Sequence, residues 1–486
     1  MTHESNAPVI VGAGVAQQRF DDPSLGVEAA ALMQRALEAA ADDSGSLAIL
    51  HAAEALLMPR GTWLYTNPGP VVAPWNPALR TTVAEIGVLQ QTLLSRACTM
   101  ISEGSAQVVL VCGGETKHRA LRGLITGIPT FESPTSGSPD VSLKPADDFF
   151  APEELERGLV TPARQYAMID TALRFAQGLS AAEHVELLAD MWSGFNDVAV
   201  SNPDAWSRAK VERNTFIDAP TTNQMHAWPY TKLHCAQWNV DQAAALIICS
   251  ASTAQRFGIA RDRWVFAHLG VESNLMVPLT QRLHMHRSPA TRVAGEALLA
   301  HGGVAAADFE HVDIYSCFPA AVRVQLAELN IAQDRQLTVT GGMTFGGGPL
   351  NNYTLQATAA MAHLLREDPS AAGLVTNISG LLTKYGASKW SCTPPAQPFA
   401  ALDVSADAAA ATETVEVEAD YAGPARVITY TVAFDKGVPT RGIAIAESAD
   451  GRRCVATTTD SDLIADMLTN DWCDRSIAAD AALLRG

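Results

Sequence analysis

Short apolar runs rich in β-branched residues alternate with helical patterns along most of this chain. The segments "PVIVGAGVAQ" (8–17), "AQVVLVCGGE" (106–115) and "DQAAALIICS" (241–250) have the composition of buried strands. The segments "VEAAALMQRALEAAADDSG" (27–45) and "AEIGVLQQTLLSRACTMISEG" (84–104) carry apolar residues at helical spacing and end in glycine. Alternating strands and helices are typical of an α/β architecture.

The same alternation begins again at about residue 263. A strand at 263–273 precedes a helix at 288–303, and the strand "FEHVDIYSCF" (309–318) leads into a helix at 319–331. A helix at 352–367 and a strand at 373–379 follow. The pattern predicts two similar halves, 1–262 and 263–395. The first half contains an irregular excursion, 118–230, rich in Pro, Gly, Ser and Trp, with a local helix at 181–195.

The composition changes again at about residue 395. A Pro/Ala-rich linker, "TPPAQPFAALD", is followed by short alternating segments from "TETVEVEADY" (412–421) to "RRCVATTT" (452–459). A terminal helix is predicted near 461–468. Residues 400–486 therefore form an additional small all-β domain, a barrel or sandwich of the size of an OB-like fold.

The net charge of the chain limits the kinds of partner that it can bind. It has 486 residues, of which 52 are acidic and 34 basic, for a net charge of −18. This balance disfavours nucleic acid. We expect no membrane span, since no run of about 18 apolar residues occurs. The eight cysteines are scattered without a CxxC pair, and the first residues lack a signal-peptide pattern, so we expect reduced thiols and a cytoplasmic protein.

A glycine-rich loop, "GGMTFGGGPLNN" (341–352), resembles a nucleotide-binding loop at first sight. A phosphate loop of the Walker type needs a lysine after its last glycine, and here proline and two asparagines follow. The early "GAGVAQ" (12–17) lacks the third glycine of a dinucleotide fingerprint. Glycines also let two backbones approach closely ahead of a helix, which is the structural alternative.

Four segments together resemble the thiolase superfamily. The glycine loop resembles the thiolase loop GGxxxxGHP, and "VDIYSCFPAAVRVQLAELNI" resembles the NEAF or HDCF block and its helix. "ISEGSAQVVLVCGGE" resembles the block after the nucleophile, and "PYTKLHCAQWNVDQAAALIICS" (229–250) resembles a block of sterol-carrier-protein-type thiolases. The resemblance covers roughly 7–393. It implies a duplicated thiolase fold, layered αβαβα, with an inserted loop domain, and the extra C-terminus resembles that of type 1 thiolase-like proteins.

The positions that match the catalytic residues of the family carry other side chains. The nucleophilic cysteine of a thiolase falls at Gly87 or Val88, and the histidine of GHP falls at Gly348. Tyr315 stands at the Asn or His position of the third block, and Asn377 or Ser379 at the last one. Ordinary thiolysis or Claisen condensation is therefore not expected, although a tyrosine can still donate a hydrogen bond to an oxyanion.

Two cysteines are candidates for a relocated nucleophile. Cys235 follows His234 in the sequence, and a cysteine that faces a histidine can be activated as a nucleophile. Cys317 matches the cysteine of HDCF and is expected at the same pocket. Both residues are equally explained as small buried side chains. Gly348, with Tyr315 and the loop amides around it, is a candidate for binding an oxyanion in either case.

Several cations and glycines are candidates for binding coenzyme A. Lys117, His118, Arg119 and Arg122 are grouped where the excursion begins, which resembles the CoA-binding loop domain. Lys384 follows the last thiolase-like block, and Gly346 and Gly347 supply backbone amides. The pair His284 and His286 lacks a third metal ligand nearby, so no metal is expected.

Three functions remain open from the sequence. The first is an acyl-CoA-binding, acyltransferase-type protein without the standard thiolase residues. The second is an active acyl-CoA acyltransferase whose nucleophile is Cys235 or Cys317, and the third is a non-enzymatic CoA-binding or docking protein. We expect CoA or acyl-CoA as substrate or ligand and no tightly bound cofactor. Because thiolases pair through sheet edges that an added domain could cover, either a monomer or a homodimer is expected.

Overall fold

A computed structural model of the chain describes residues 3–147, 149–480 and 483–485. The strands are β1 (Pro8–Gln17), β2 (Ala55–Pro59), β3 (Arg80–Ala84), β4 (Val108–Thr116), β5 (Val141–Leu143), β6 (Met225–Ala227), β7 (Tyr230–Thr231), β8 (Asp241–Ser250), β9 (Val265–Ser273), β10 (His311–Asp313), β11 (Ala372–Ser379), β12 (Lys384–Ser391), β13 (Ala400–Asp403), β14 (Ala422–Asp435), β15 (Val438–Ser448), β16 (Arg453–Thr458), β17 (Ser476–Asp480) and β18 (Leu483–Arg485).

The helices alternate with these strands through both halves. They are α1 (Ala29–Ser44), α2 (Leu47–His51), α3 (Gly69–Val72), α4 (Gln90–Ser102), α5 (Lys117–Thr126), α6 (Pro152–Glu156), α7 (Pro162–Ala176), α8 (Ala181–Ser201), α9 (Asn214–Asp218), α10 (Ala251–Arg256), α11 (Pro289–Gly302), α12 (Pro319–Leu329), α13 (Gly342–Phe345), α14 (Tyr353–Glu367), α15 (Ser405–Ala410) and α16 (Ser461–Thr469).

The larger sheet is built from two equivalent halves. The first half has the strand order β3-β2-β4-β8-β1 and the second β10-β11-β12-β9. From β1 outwards, the pairings are antiparallel, antiparallel and parallel, and the same sequence of pairings runs outwards from β9. The halves meet where β1 pairs antiparallel with β9, Val9 opposite Phe266. The predicted duplicated α/β fold is confirmed.

Two helices lie between the two halves. Helix α4 contacts β4 and β8 of the first half and β9 and β12 of the second, and α14 contacts β8 and β1 as well as β11. Helix α1 packs on the outer face of the first half, and α11 packs on that of the second. The layers are therefore αβαβα, as the resemblance implied. Strand β8 is buried on both faces, which explains its unbroken apolar sequence.

The C-terminal strands form a closed barrel. The order β15-β16-β18-β17-β14 is completed by pairing of β14 with β15, so no edge of this ring is open. Strands β6 and β7 come from the end of the excursion and extend the sheet beside β14, with Ala227 opposite Ala433. The barrel also packs on α7, where the Thr429 hydroxyl donates to the Met168 carbonyl at 2.6 Å.

Three predicted elements differ from the structure. The helix expected over 84–104 begins only at Gln90, because the chain turns at Gly87, whose φ is +104°. The strand expected over 309–318 ends at Asp313, and the last five residues form a loop at the site described below. The segment 412–421 makes only isolated bridges at Thr414 and Val417, because it passes between the core and the barrel.

Candidate functional site

The two central helices begin close together, and a side chain caps the first turn of each. The Gln90 side-chain oxygen, from the first residue of α4, accepts the Thr354 N–H at the start of α14 at 2.6 Å. The Asn377 side-chain oxygen, from β11, accepts the Gln91 N–H in the first turn of α4 at 3.2 Å. Free amides at a helix N-terminus favour an anion such as a thiolate. These two amides are instead occupied by neutral side chains.

The position that matches the thiolase nucleophile is filled from two sides. A Cβ atom at Gly87 would lie 2.6 Å from the Phe149 ring, and the positive φ of this residue would strain any other side chain. The Lys384 ammonium donates to the Gly87 carbonyl at 3.2 Å. Lys384 is buried beneath Phe149, and this burial lowers the pKa of its amine. The lysine expected to meet a phosphate therefore lies inside the protein.

Two backbone amides of the glycine loop donate hydrogen bonds within the protein. The Gly346 N–H donates to the Gly342 carbonyl at 2.7 Å, and the Gly348 N–H donates to the Gln237 carbonyl at 2.9 Å. Both amides are therefore engaged within the protein rather than open to a ligand. Gly347 has a φ of +107°. Of the amides of Gly346, Gly347 and Gly348, which were expected to bind a ligand or an oxyanion, those of Gly346 and Gly348 already have acceptors.

Side chains from neighbouring segments pack directly against this loop. A Cβ atom at Gly347 would lie 1.9 Å from the Gln242 side-chain oxygen. A Cβ atom at Gly348 would lie 3.3 Å from the Ala236 methyl and 3.3 Å from the Met343 side chain. The position of the thiolase histidine is thus closely packed, which agrees with the structural explanation of the glycines as sites of close approach.

His234 is a buried, neutral imidazole. Its Nδ1 lies 3.2 Å from the Thr231 N–H, which can only donate, so Nδ1 accepts and the ring proton is on Nε2. Nε2 has no hydrogen-bond partner among the described residues. The aromatic rings of Trp192, Phe216 and Tyr230 surround the imidazole, and burial lowers its pKa to about 3. His234 can therefore donate a hydrogen bond from Nε2 at neutral pH.

Cys235 follows His234 in sequence but does not pair with it. The Cys235 thiol lies 3.5 Å from the Thr231 carbonyl, while the His234 ring uses Nδ1 for Thr231 and leaves Nε2 without a partner. A histidine that activates a thiol must accept its proton. The contact required for a Cys235–His234 pair is therefore not formed in this structure.

The structure brings Cys235, Cys317 and Tyr315 together. The Ala236 N–H donates to the Cys317 carbonyl at 2.9 Å, which joins the two segments. Burial raises the pKa of each thiol to about 12. At pH 7 only about one thiol in 10⁵ would be ionised at such a pKa. The thiol is therefore the form present in both cysteines.

Two tyrosines border Cys317. Tyr166, on α7, hydrogen-bonds the Cys317 thiol, and burial raises the pKa of Tyr166 well above its usual value. Tyr315 is fixed through its backbone, since its N–H donates to the Thr376 hydroxyl at 2.8 Å. Burial and the neighbouring Cys317 raise the pKa of the Tyr315 phenol, which keeps its proton as a donor. Tyr166 lies in the irregular excursion and had no motif that could have indicated it.

A buried charge network lies beside this cluster. Asp170 on α7 forms an ion pair with Arg323 on α12 and accepts the Tyr230 hydroxyl at 2.7 Å. The His184 ring lies 3.2 Å from the same carboxylate, and the Arg323 side chain reaches the Gln177 amide oxygen at 2.5 Å. Asp170, His184 and Arg323 are fully buried. The network fixes the excursion helices on the second half of the core.

Of the cations expected to bind CoA at the start of the excursion, two are hydrogen-bonded to backbone carbonyls and one lies beside an exposed aromatic ring. Arg119 donates to the Pro23 carbonyl at 3.2 Å, and Arg122 donates to the Asp21 carbonyl at 3.0 Å. Both arginines therefore bind the backbone of the loop that follows β1. The Lys117 ammonium lies 4.1 Å from the centre of the Trp238 ring, which is 49% exposed. Lys117 and Trp238 therefore offer a cation and an aromatic face at the surface.

The described part of the chain has neither a cluster of metal-ligating side chains nor a membrane-spanning helix. No group of three or more His, Cys, Asp or Glu side chains there has the arrangement of a metal site, and the His284 and His286 rings lie 6.0 Å apart. No helix of residues 3–147, 149–480 and 483–485 is long and apolar enough to span a membrane.

The fold and the C-terminal domain are similar to those of known proteins. A family model described as the thiolase-like protein type 1 additional C-terminal domain matches residues 406–478. The crystal structure of a monomeric SCP2-thiolase like protein type 1 from Mycobacterium smegmatis is similar, with 25% identity and a TM-score of 0.82. The similarity covers 98% of this chain and 97% of that one.

Other known proteins are similar over a smaller share of this chain. An Ltp2–ChsH2(DUF35) aldolase (18% identity, TM-score 0.59) and an acetyl-CoA acetyltransferase from Syntrophomonas wolfei (16%, TM-score 0.56) each match 80% of this chain and 98% and 100% of their own. A β-ketoadipyl-CoA thiolase of Pseudomonas putida is 30% identical over 142 residues, which are 29% of this chain. The chain spans about a third (33%) of that curated relative. The chain therefore has a thiolase-like fold over its full length, and its C-terminal part matches the type 1 additional C-terminal domain.

Proposed function

We propose that the protein binds acyl-CoA in the manner of a thiolase-type acyltransferase without passing through a thiolase-type acyl-cysteine. The observation that carries this proposal is the packing of Cys235 and Cys317 in the core, since burial raises the pKa of each thiol to about 12. The position that matches the usual nucleophile is Gly87, packed against Phe149. A thiolate at a helix terminus, the basis of thiolase chemistry, thus has no counterpart at the matched position.

Two observations support the acyl-CoA part of the proposal. They are the names of two similar proteins and the contact between Lys117 and Trp238 at the surface. The names of the Pseudomonas putida thiolase and the Syntrophomonas wolfei acetyltransferase both refer to CoA thioesters. Lys117 and Trp238 present a cation beside an exposed aromatic ring at the start of α5. A phosphate and an adenine ring are the CoA groups that such a pair would contact.

Calorimetric titration of CoA into the full chain tests this proposal. We expect Lys117→Glu to weaken binding about tenfold or more. Lys436→Glu, on the exposed turn between β14 and β15, makes the same change of charge on a different element and should leave binding unchanged. Equal losses in the two variants would show that only net charge matters, and the absence of CoA binding by the wild type would refute the proposal.

We also propose that the protein is a monomer. Strand β5 pairs with β3 and covers the outer strand of the first half-sheet, with Val83 opposite Ser142. The Mycobacterium smegmatis relative is described as monomeric. Light scattering after gel filtration should give a mass near 51.5 kDa, and a mass of twice that value would contradict the proposal. The cytoplasmic location stays a prediction.

A further inference from the structure

Two arginines from distant parts of the chain contact the same glycine. Arg164 lies in the first turn of α7, and Arg441 lies on β15 of the C-terminal barrel. The Arg164 Nη1 donates to the Gly158 carbonyl at 2.7 Å, and a Cβ atom at Gly158 would lie 3.0 Å from the Arg441 Nη1. The two guanidinium groups therefore lie close together where the excursion meets the barrel.

The loop between α6 and α7 makes this approach possible. Gly158 lies in that loop with a φ of +89°, a conformation that favours glycine. The residue is buried, and Arg441 occupies the space that a side chain would need. The backbone of the loop therefore packs directly on the arginine of the barrel.

The two arginines lack a counter-charge. Burial and the positive charge of Arg441 lower the pKa of the Arg164 guanidinium, and no carboxylate of the described residues opposes this shift. The neighbouring Arg157 differs, because its Nη2 forms an ion pair with Asp420 at 3.1 Å. Arg164 and Arg441 form no such pair within 4 Å in the described part of the chain. Two like charges therefore face each other without compensation.

The acidic helix before this loop does not neutralise the pair. Helix α6 contains three glutamates. Glu154 is fully buried, and its carboxylate accepts the Thr280 N–H at 2.8 Å. The other two, Glu153 and Glu156, form no ion pair with either arginine in the residues that the structure describes. The positive charge of the pair is therefore open to an anion from solution.

Both guanidinium groups are within reach of a ligand. Arg164 and Arg441 are partly exposed. Arg164 uses Nη1 for the Gly158 carbonyl, whereas the Arg441 side chain forms no hydrogen bond within the described residues. A guanidinium carries N–H donors on all three nitrogens. Most donors of the pair therefore remain available to an acceptor from solution.

The start of α7 adds positive potential at the same place. This helix has 15 residues, and the side chain of Thr161, which precedes it, does not cap its first turn. Backbone N–H groups at the start of a helix carry a partial positive charge. Because Arg164 belongs to that turn, the helix and the guanidinium favour an anion together.

The arginine pair is distinct from the cluster of Tyr166 and Cys317. Tyr166 follows Arg164 by two residues, and residues two apart point to different sides of a helix. Tyr166 is buried against the Cys317 thiol, whereas Arg164 is partly exposed beside Arg441. Arg441 belongs to the segment that matches the additional C-terminal domain. The pair thus combines one residue of the thiolase-like part with one of the added domain.

We propose that Arg164 and Arg441 bind a phosphate monoester between the start of α7 and the barrel. Two guanidinium groups beside a helix N-terminus match a dianion better than a carboxylate, which carries a single charge. The same dianion is presented by a free phosphate metabolite and by the 3′-phosphate of CoA. A phosphate that contacts both arginines removes their repulsion and joins the barrel to the excursion. The site does not depend on the proposed acyl-CoA function.

Calorimetric titration of inorganic phosphate into the full-length protein at about pH 8, where phosphate is a dianion, tests the site. We expect one phosphate per chain with a dissociation constant of about 1 mM or tighter, and at least about tenfold weaker binding of acetate at the same ionic strength. Arg164→Gln and Arg441→Gln should each weaken phosphate binding about tenfold or more. Arg426→Gln, in the same barrel, changes an arginine that pairs with Asp474 at 2.8 Å and should bind phosphate as the wild type does.

A parallel titration with CoA and dephospho-CoA identifies the source of the phosphate. If CoA binds more tightly than dephospho-CoA in the wild type but not in Arg441→Gln, the ligand is the 3′-phosphate of CoA. If inorganic phosphate binds through both arginines and the two CoA forms do not differ, the ligand is a free phosphate ester. The proposal is refuted if neither inorganic phosphate nor the 3′-phosphate contributes to binding, if the arginine variants bind phosphate as the wild type does, or if acetate binds as tightly as phosphate.

Discussion

The neutral state of His234 predicts a specific loss of stability in acid. Burial lowers the pKa of His234 from its usual 6.5 to about 3, so between these values the unfolded chain binds a proton that the folded chain does not. Stability contributed by this group is complete above pH 6.5 and decreases as the pH falls. For one proton, the loss between pH 7 and pH 4.5 is about 3 kcal/mol in the free energy of unfolding.

Urea unfolding followed by tryptophan fluorescence measures this loss. The wild type and His234→Gln are unfolded at pH 7 and pH 4.5, and the change in the free energy of unfolding is compared between them. We expect the wild type to lose about 3 kcal/mol more than the variant. His51→Gln, at an exposed histidine, serves as the control and should behave as the wild type does. An equal pH dependence in the wild type and in His234→Gln would refute the assignment of a buried neutral imidazole.

Two substitutions and one labelling reaction test the packing around the site. Arg323→Met leaves the buried Asp170 without its cation and should cost about 3–5 kcal/mol of unfolding free energy, measured in urea at pH 7; a loss below about 1 kcal/mol would contradict the network. Gly347→Ala directs a methyl group at the Gln242 side chain and strains a positive φ, so it should cost about 1–3 kcal/mol in the same assay. The Cys317 thiol, whose pKa is about 12, should react with iodoacetamide with a rate that rises about tenfold per pH unit from pH 7 to 9.5, measured by peptide mapping, whereas a plateau below pH 9 would indicate a thiolate.

The core could be predicted from the sequence because its signals are local. The apolar segment 8–17 is β1 and the segment 241–250 is β8, since strands buried on both faces have continuous apolar sequences. The helix predicted over 27–45 ends at Gly45, which adopts a left-handed conformation with a φ of 72°. Strands β6 and β7 were not predicted, because they are stabilised by pairing with β14, about 200 residues later in the chain.

The site was only partly predictable, because its contacts join residues that are distant in sequence. The resemblance predicts that Gly348 stands where thiolases have histidine, but the sequence does not show that Ala236 and Met343 pack against Gly348. Adjacent positions suggested that Cys235 and His234 interact, whereas the turn directs the imidazole Nδ1 towards Thr231.

The most direct test of the central claim is intact-protein mass spectrometry after incubation with acetyl-CoA and with a longer acyl-CoA, in samples where calorimetry shows binding. The account predicts an unchanged protein mass, since the thiols of Cys235 and Cys317 remain protonated and no other nucleophile stands at the matched position. A mass increase of one acyl group that peptide mapping assigns to Cys235 or Cys317 would contradict the account, and it would establish an acyltransferase with a relocated nucleophile.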